Sequence, residues 1–396
     1  MLRDKSRPIG LRADEPHIYE LDEMLEFCRK YDGIYIYGSA IKQQMLYKLL
    51  KNCAEIPLQG YVVSQPQCAK EADGVDIFAI DNILEKKRVG IILGLADKHY
   101  RFVIPKFKKI GFTDYFIPTE WNKQTIAEKL EPRDADYNSF EINLTDHCNM
   151  SCQMCDHYSQ LSEPFFIDLN ILDRDLKRMA ELCKRQCAVI TLLGGEPLLH
   201  PEIIKCCEIS RAHFPDSPIL LLTNALLLLD MNELWEACRR LHIIISITRY
   251  PIKLDYEGII KKAADYNVKL LLSSDIHSKV SIEDAKVSFK HTFDLQGKTD
   301  GIFFPACHYF NHLGVLKNGR YYICPISAHI NIFNKYFNQN LRLTEQDSVD
   351  IFKTRDWEEI AEFQANKIPF CSYCDIKKWG DHSVWKPSTN SIEEYI

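Results

Sequence analysis

Short apolar runs alternate with amphipathic stretches along most of this chain, and the alternation starts twice. From about Asp22 to Leu130 the runs Gly33-Ile-Tyr-Ile-Tyr-Gly-Ser-Ala40, Gly60-Tyr-Val-Val63, Ile77-Phe-Ala-Ile80, Val89-Gly-Ile-Ile-Leu-Gly94 and Tyr115-Phe-Ile117 read as strands. Between the first two, Met45, Leu46, Leu49 and Leu50 recur at helical spacing. Strand–helix alternation of this kind predicts a parallel α/β sheet of Rossmann type over residues 1–132. It restarts with strands expected at Phe140–Leu144, Ala188–Leu193, Pro218–Thr223, His242–Thr248 and Val268–Ser273, and a weaker one near Val287–Lys290. Six such units predict an incomplete (βα)6 barrel over residues 138–292, open on one side. Residues 300–396 change character again: Leu313–Val315 and Tyr321–Ile323 flank Lys317-Asn-Gly-Arg320, and Asn-Gly between strand-like runs is a strong hairpin signal.

Composition narrows the classes. The chain has 396 residues, with 49 basic and 55 acidic side chains and a net charge of −6, and carries no long basic tract. That argues against a nucleic-acid surface. The longest apolar run, Ile219 to Leu229, is interrupted by Thr223 and Asn224, and none reaches the ~18 residues of a membrane span. No signal peptide is evident, so the expected location is the cytoplasm. Fifteen cysteines then read as reduced thiols and metal ligands rather than disulfides. Eight of them (Cys28, Cys53, Cys68, Cys183, Cys187, Cys206, Cys207, Cys238) lie mostly among apolar neighbours and read as small core hydrophobes.

The other seven are patterned. Cys148, Cys152 and Cys155 form a Cys-x3-Cys-x2-Cys run just after an expected strand, where α/β barrels place their active sites. Three thiolates can hold three irons of a [4Fe–4S] cube and leave the fourth open, with zinc or a disulfide loop as the competing reading. Next, Thr191-Leu-Leu-Gly-Gly-Glu-Pro197 closes a second strand with two glycines, which let backbone approach a ligand closely. Glu196 is suited to accept hydrogen bonds from an ammonium group, and Pro197 stiffens the exit.

These two motifs, in this order, resemble the radical S-adenosylmethionine (SAM) superfamily. The resemblance implies that the three cysteines hold a [4Fe–4S] cluster whose open iron binds SAM. It implies too that Gly194, Gly195, Glu196 and Pro197 contact the SAM amino group, and that a 5′-deoxyadenosyl radical abstracts a substrate hydrogen. The residue before the third cysteine is usually aromatic in that family and is Met154 here. Polar residues close several expected strands: Thr223 and Asn224, then Ser246, Thr248 and Arg249, then Ser273 and Ser274. By resemblance Asn224 and Ser246 are carried over as SAM contacts. Arg249 has the fork to clamp a carboxylate.

Cys307 and Cys324 flank the expected hairpin, and Cys371-Ser-Tyr-Cys374 follows a helical stretch over Trp357–Gln364. Four ligands suit zinc or iron–sulfur. The arrangement resembles the SPASM/twitch extensions of radical SAM enzymes, which implies a second, auxiliary [4Fe–4S] cluster and a redox outcome. The expected substrate is carbohydrate-like or a polyol, free or linked to a phosphate or nucleotide, undergoing alcohol dehydrogenation or epimerisation. Peptide maturation is one alternative, and a non-catalytic Fe–S scaffold is another. A flavodoxin or ferredoxin is the expected reductant, and Lys290, His291 and His308 are general-base candidates. In the N-terminal unit Gly38-Ser-Ala-Ile-Lys-Gln43 departs from Gly-x-Gly-x-x-Gly at Ala40 and Gln43, which speaks against tight dinucleotide binding. Its expected role is docking, oligomerisation or anion binding.

Overall fold

A computed structural model describes residues 24–118 and 139–396, except for 39–42, 44–45, 48–49, 52–55, 65–70, 73, 85–87, 95–96, 274–286, 300–306, 308 and 310–312. The chain divides into two compact units, one within residues 14–131 and the other holding 132–299 and 307–396.

The first unit is a six-stranded sheet. Its strands are β1 (Gly33–Tyr37), β2 (Leu58–Val63), β3 (Glu71–Ala72), β4 (Val75–Ala79), β5 (Val89–Ile92) and β6 (Tyr115–Phe116). The order is β3-β4-β2-β1-β5-β6, parallel except for β3. The chain steps one way from β1 to β2 and the other way to β5, so β1 and β5 border the switch point where such sheets bind ligands. There Gln43, a buried side chain, packs on Gly38 and donates to Gly94 O, tying the carboxyl ends of the two strands together. Ser39 and Ala40 of the degenerate turn lie outside the described residues. Helix α1 (Asp97–Lys109) supplies Val103 and Phe107 to the core beneath Tyr35, Tyr37, Val62 and Ile91.

The second unit carries the sites of interest. Strands β7 (Ser139–Asn143), β8 (Val189–Leu193), β9 (Ile219–Thr223), β10 (Ile243–Thr248) and β11 (Leu270–Ser273) pair in parallel, each with its sequence neighbour. They alternate with helices α2 (Leu169–Leu182), α3 (Ile203–His213), α4 (Asn232–Leu241) and α5 (Tyr256–Asp265). Every second residue of a strand faces the same way. Phe140, Ile142, Ile190, Leu192, Ile219, Leu221, Ile243, Ile245 and Ile247 therefore pack with the helices. The opposite, concave face receives Glu141, Asn143, Thr191, Ser246 and Thr248.

The barrel's sixth strand is not the one expected. Val287–Lys290 (β12) pairs antiparallel with β16 (Gly380–Val384) in a separate two-stranded sheet. The sixth parallel strand is β13 (Leu313–Lys317), which joins the other edge beside β7. An alternating four-residue run marks a strand but does not name its partner, and β7 offered an unfilled edge. The order β11-β10-β9-β8-β7-β13 then continues through β14 (Arg320–Tyr322) and β15 (Val349–Asp350), and the sheet's ends do not pair. The expected hairpin is present: Lys317 pairs with Arg320 across Asn318 and Gly319, both at positive φ (50° and 74°), as a type I′ turn needs. Through β13 the C-terminal segment, with α6 (Pro325–Phe337) and α7 (Trp357–Gln364), is part of the barrel unit. Among the described residues no helix is long and apolar enough to cross a membrane.

Candidate radical and auxiliary cluster sites

The Cys148–Cys155 loop leaves β7 at the carboxyl edge of the sheet and is pinned by the turn after β8. Gly195 N donates to Thr145 O at 2.9 Å and Glu196 N to His147 O at 3.1 Å. A Cβ on Gly195 would lie 2.8 Å from Cys148 N, and one on Gly194 2.7 Å from Thr145 Oγ1. The two glycines thus admit the cysteine loop's own backbone, a use of their missing side chains that the motif alone does not reveal. Met154 takes the left-handed conformation (φ 57°), which turns the loop before Cys155.

Glu196 staples strand ends. Its carboxylate accepts from Thr223 Oγ1 at 2.6 Å, Asn224 N at 2.8 Å and Leu198 N at 3.1 Å, the last capping the short turn Pro197–Leu199. Being 1% exposed, it has its pKa pushed up to about 7 by burial, against the pull of those three donors. Asn224 Oδ1 accepts from Leu226 N at 3.0 Å, while Nδ2 donates to Asn149 Oδ1 at 2.7 Å and approaches Cys148 Sγ at 3.8 Å. Ser246 is buried on the concave face of β10, with Arg249 just past the strand's end. The next residue, Tyr250, which sequence reasoning passed over, hydrogen-bonds Cys152.

None of the seven patterned cysteines is in a disulfide, and they fall into two sets, Cys148 with Cys152 and Cys155, and Cys374 with Cys307, Cys324 and Cys371. Burial, helped by the nearby charges of Glu196, Cys155 and Cys152, pushes Cys148 up to about 12. In the second set burial pushes Cys324 up to about 12, with Cys307 adding to it, and Cys374 is raised by burial and by Cys371, Cys324 and Cys307. Thiols that raise one another in this way are poorly placed as isolated groups. A coordinated cation reverses the balance, because a metal-bound thiol is deprotonated. The surroundings agree: the side-chain oxygens of Gln153 (Oε1), Tyr158, Ser159, Gln160 (Oε1) and Thr292, and Trp385 Nε1, are buried with no hydrogen-bond partner among the described residues. Polar groups of this kind collect where a polar group is to be met. The donor sets fit a three-cysteine cluster open at one iron and a four-cysteine cluster fully ligated.

A buried polar chain runs from one set to the other. Glu141 Oε1 meets His157 Nε2 at 3.1 Å, and His157 Nδ1 meets Asp156 Oδ1 at 2.8 Å. Tyr309 donates to Asp156 Oδ2 at 2.6 Å, and His291 Nε2 lies 2.9 Å from the same hydroxyl. Burial by itself would lower His157 and raise Asp156, but their mutual charge wins, holding His157 well above and Asp156 well below their ordinary values. His157 is accordingly an imidazolium between two acids. Sequence reasoning missed this chain; the signals were an acidic residue at a strand centre and the Asp-His pair directly after Cys155. Of the base candidates, His291 belongs to it, Lys290 lies on β12, and His308 lies outside the described residues. A second cluster places Lys317 Nζ 3.0 Å from Asp146 Oδ1 and 2.7 Å from His329 Nδ1, with His329 Nε2 2.9 Å from Asn143 Nδ2. It borders a cavity of about 280 Å³.

The chain's last residues strap the three-cysteine loop. Gln153 N donates to Lys386 O at 3.1 Å, Ser388 N to Ser151 O at 2.9 Å, and Tyr395 Oη to Cys155 O at 3.3 Å. Trp385 packs edge-on against Tyr250, ring centroids 5.5 Å apart. Of the eight cysteines assigned to the core, Cys28, Cys183, Cys187, Cys206, Cys207 and Cys238 are buried, and Cys53 and Cys68 lie outside the described residues.

The family model of the Radical SAM superfamily matches residues 142–271. No curated protein matches the chain at a significant level. Among solved structures, BtrN in complex with AdoMet and 2-DOIA is 17% identical with a TM-score of 0.37, over 61% of this chain and 94% of that one. The anSMEcpe structure with bound AdoMet is 21% identical with a TM-score of 0.28, over 34% and 42%. SuiB of Streptococcus suis bound to S-adenosylmethionine is 12% identical with a TM-score of 0.32, over 67% and 76%. These likenesses are too distant to carry a substrate across.

Proposed function

With residues 142–271 forming a radical SAM domain, we propose that this enzyme holds SAM on a cluster at Cys148, Cys152 and Cys155, holds an auxiliary [4Fe–4S] cluster at Cys307, Cys324, Cys371 and Cys374, and oxidises or epimerises a hydroxyl-rich substrate. The observation that carries this reading is the grouping of the seven patterned cysteines, none of them in a disulfide, into two sets within one compact unit, linked by the Asp156–Tyr309–His291 contacts. When bound, SAM and the two clusters supply a radical that removes hydrogen from a substrate carbon and an acceptor for the electron that remains.

The chain's own residues do the rest. Gly194 and Gly195 set the cysteine loop against β8, and Glu196 fixes the ends of β8 and β9 beside it. Asn224, Ser246 and Arg249 lie at or near the carboxyl ends of β9 and β10 and are proposed as SAM contacts. Glu141, Asn143, Thr191, Ser246 and Thr248 give the concave face hydrogen-bonding groups suited to a polyol, with Leu222 and Leu271 as its apolar part. His291 is proposed as the group that takes the substrate's hydroxyl proton, with Tyr309 and Asp156 orienting its ring. Lys290 and His308 are the remaining base candidates. The parallel α/β sheet in the N-terminal unit disfavours the peptide reading, since peptide-modifying relatives usually carry a winged-helix leader-binding unit there.

Anaerobic reconstitution tests the proposal. The reading expects about eight irons per chain and 5′-deoxyadenosine from SAM and dithionite. Deuterium should then pass from a ring-labelled sugar or cyclitol into that product. Four irons with one zinc would exclude the auxiliary cluster, and transfer from a peptide alone would replace the polyol.

A further inference from the structure

Tyr158 stands between the two cysteine sets. Its backbone N donates to Cys155 O at 3.1 Å, and its φ of 53° puts it in the left-handed region, which bulky residues rarely adopt. The ring turns into an aromatic cluster, 5.4 Å from Phe333 and 5.5 Å from Tyr395. Phe333 belongs to α6, the helix capped by Cys324, and packs on Phe293, which bridges to Cys374. The side chain is 1% exposed, and its hydroxyl is buried with no hydrogen-bond partner among the described residues. An unsatisfied buried hydroxyl is costly, so a fold keeps one where an acceptor is to be met.

The direction of that acceptor can be read. The ring packs on Phe333 of α6, the helix whose N-cap is Cys324, and Phe333 packs on Phe293, which bridges to Cys374, so the phenol lies on the side of the four-cysteine set. The Tyr395 hydroxyl, by contrast, is already engaged, accepting from Gln160 Nε2 at 2.8 Å and donating to Cys155 O at 3.3 Å. The neighbouring phenols thus have different tasks.

We propose that the Tyr158 hydroxyl donates a hydrogen bond to a sulfur atom of the group held by Cys307, Cys324, Cys371 and Cys374, and so raises that group's reduction potential. The inference rests on the two-cluster reading above. A donor aimed at a cluster sulfur stabilises the reduced state, which carries one more negative charge, over the oxidised one. The site becomes a better acceptor without any change of ligand.

The test is Tyr158→Phe, which removes one oxygen and leaves the aromatic packing in place. Wild type and variant are reconstituted anaerobically, iron is counted, and both clusters are followed by EPR during a redox titration. The expected result is equal iron in both proteins, with the auxiliary cluster about tenfold less reduced at fixed ambient potential in the variant. For a one-electron couple that corresponds to a fall of about 59 mV. Tyr395→Phe should leave the same potential in place. Full loading of both proteins with an unchanged auxiliary potential overturns the role of Tyr158 and leaves the two-cluster reading standing. Wild type that binds only four irons overturns the two-cluster reading itself. As a second readout, pulsed EPR of the reduced auxiliary cluster in D2O should show one coupled exchangeable deuteron fewer in Tyr158→Phe than in wild type, the deuterons of Ser327 at Cys324 Sγ remaining in both; an identical deuteron spectrum in the two proteins overturns the assignment.

Discussion

Gly195→Ala is the sharpest test of how the three-cysteine loop is held. A methyl carbon there would lie 2.8 Å from Cys148 N and closer still to the carbonyl of His147, both of them backbone that cannot swing aside. Relief requires the β8 turn and the cysteine loop to part. That breaks Gly195 N to Thr145 O and Glu196 N to His147 O, the 2.9 Å and 3.1 Å bonds joining them. Each backbone bond contributes about 1 kcal/mol net. Overpacking adds about 1–3 kcal/mol, so the expected loss is about 3–5 kcal/mol, with a drop in Tm of about 2–4 °C per kcal/mol for a unit of this size. The functional loss should be local. Reconstituted variant is expected to keep the four irons of the auxiliary set and to lose those of Cys148, Cys152 and Cys155, together with 5′-deoxyadenosine formation. Differential scanning calorimetry of the apo-protein and iron analysis of the holoenzyme measure the two effects. A variant with wild-type Tm and full iron would refute the reasoning, because the glycine would then have no packing role.

Three further outcomes follow from the same geometry. Cys374→Ser should lower iron from about eight to about four per chain while leaving SAM cleavage in place, read by iron analysis and 5′-deoxyadenosine assay. Asp156→Asn leaves the His157 imidazolium with only Glu141; breaking a buried pair costs about 3–5 kcal/mol, and an unchanged urea midpoint of the apo-protein would rule the pair out. Glu196 has a folded pKa of about 7 against an ordinary 4.5, so the fold favours its neutral form. Its contribution to stability is therefore full below the ordinary value and is lost as pH rises through about 7, by about 3 kcal/mol. Relative to Glu196→Gln, apo-protein stability should decline between about pH 5 and about pH 8 in thermal melts; a rise would contradict the assignment.

Much of the barrel was legible because buried parallel strands read as apolar runs. Val189–Leu193, Ile219–Thr223 and Ile243–Thr248 fall within a residue of their expected limits, and Asn318-Gly319 marks the hairpin turn it forms. The sixth strand was not legible. A run such as Val287-Ser-Phe-Lys290 satisfies the local pattern equally well in a parallel barrel or an antiparallel ribbon, and only the competition for the edge of β7 selects Leu313–Lys317.

The cysteine spacing, the Gly-Gly-Glu-Pro turn and the Asn-Gly hairpin are local features, set by ligand reach and backbone sterics over a few residues, and the sequence by itself determined them. What only the tertiary structure decided is which distant groups meet. Asp156 and Tyr309 are separated by 153 positions yet bond at 2.6 Å. Cys155 and Tyr395 are separated by 240, and the Tyr158 ring packs on the helix that Cys324 caps. Side chains of this kind carry no periodicity, because their positions follow from how β13 closes on β7 and how the last residues fold back over the cysteine loop.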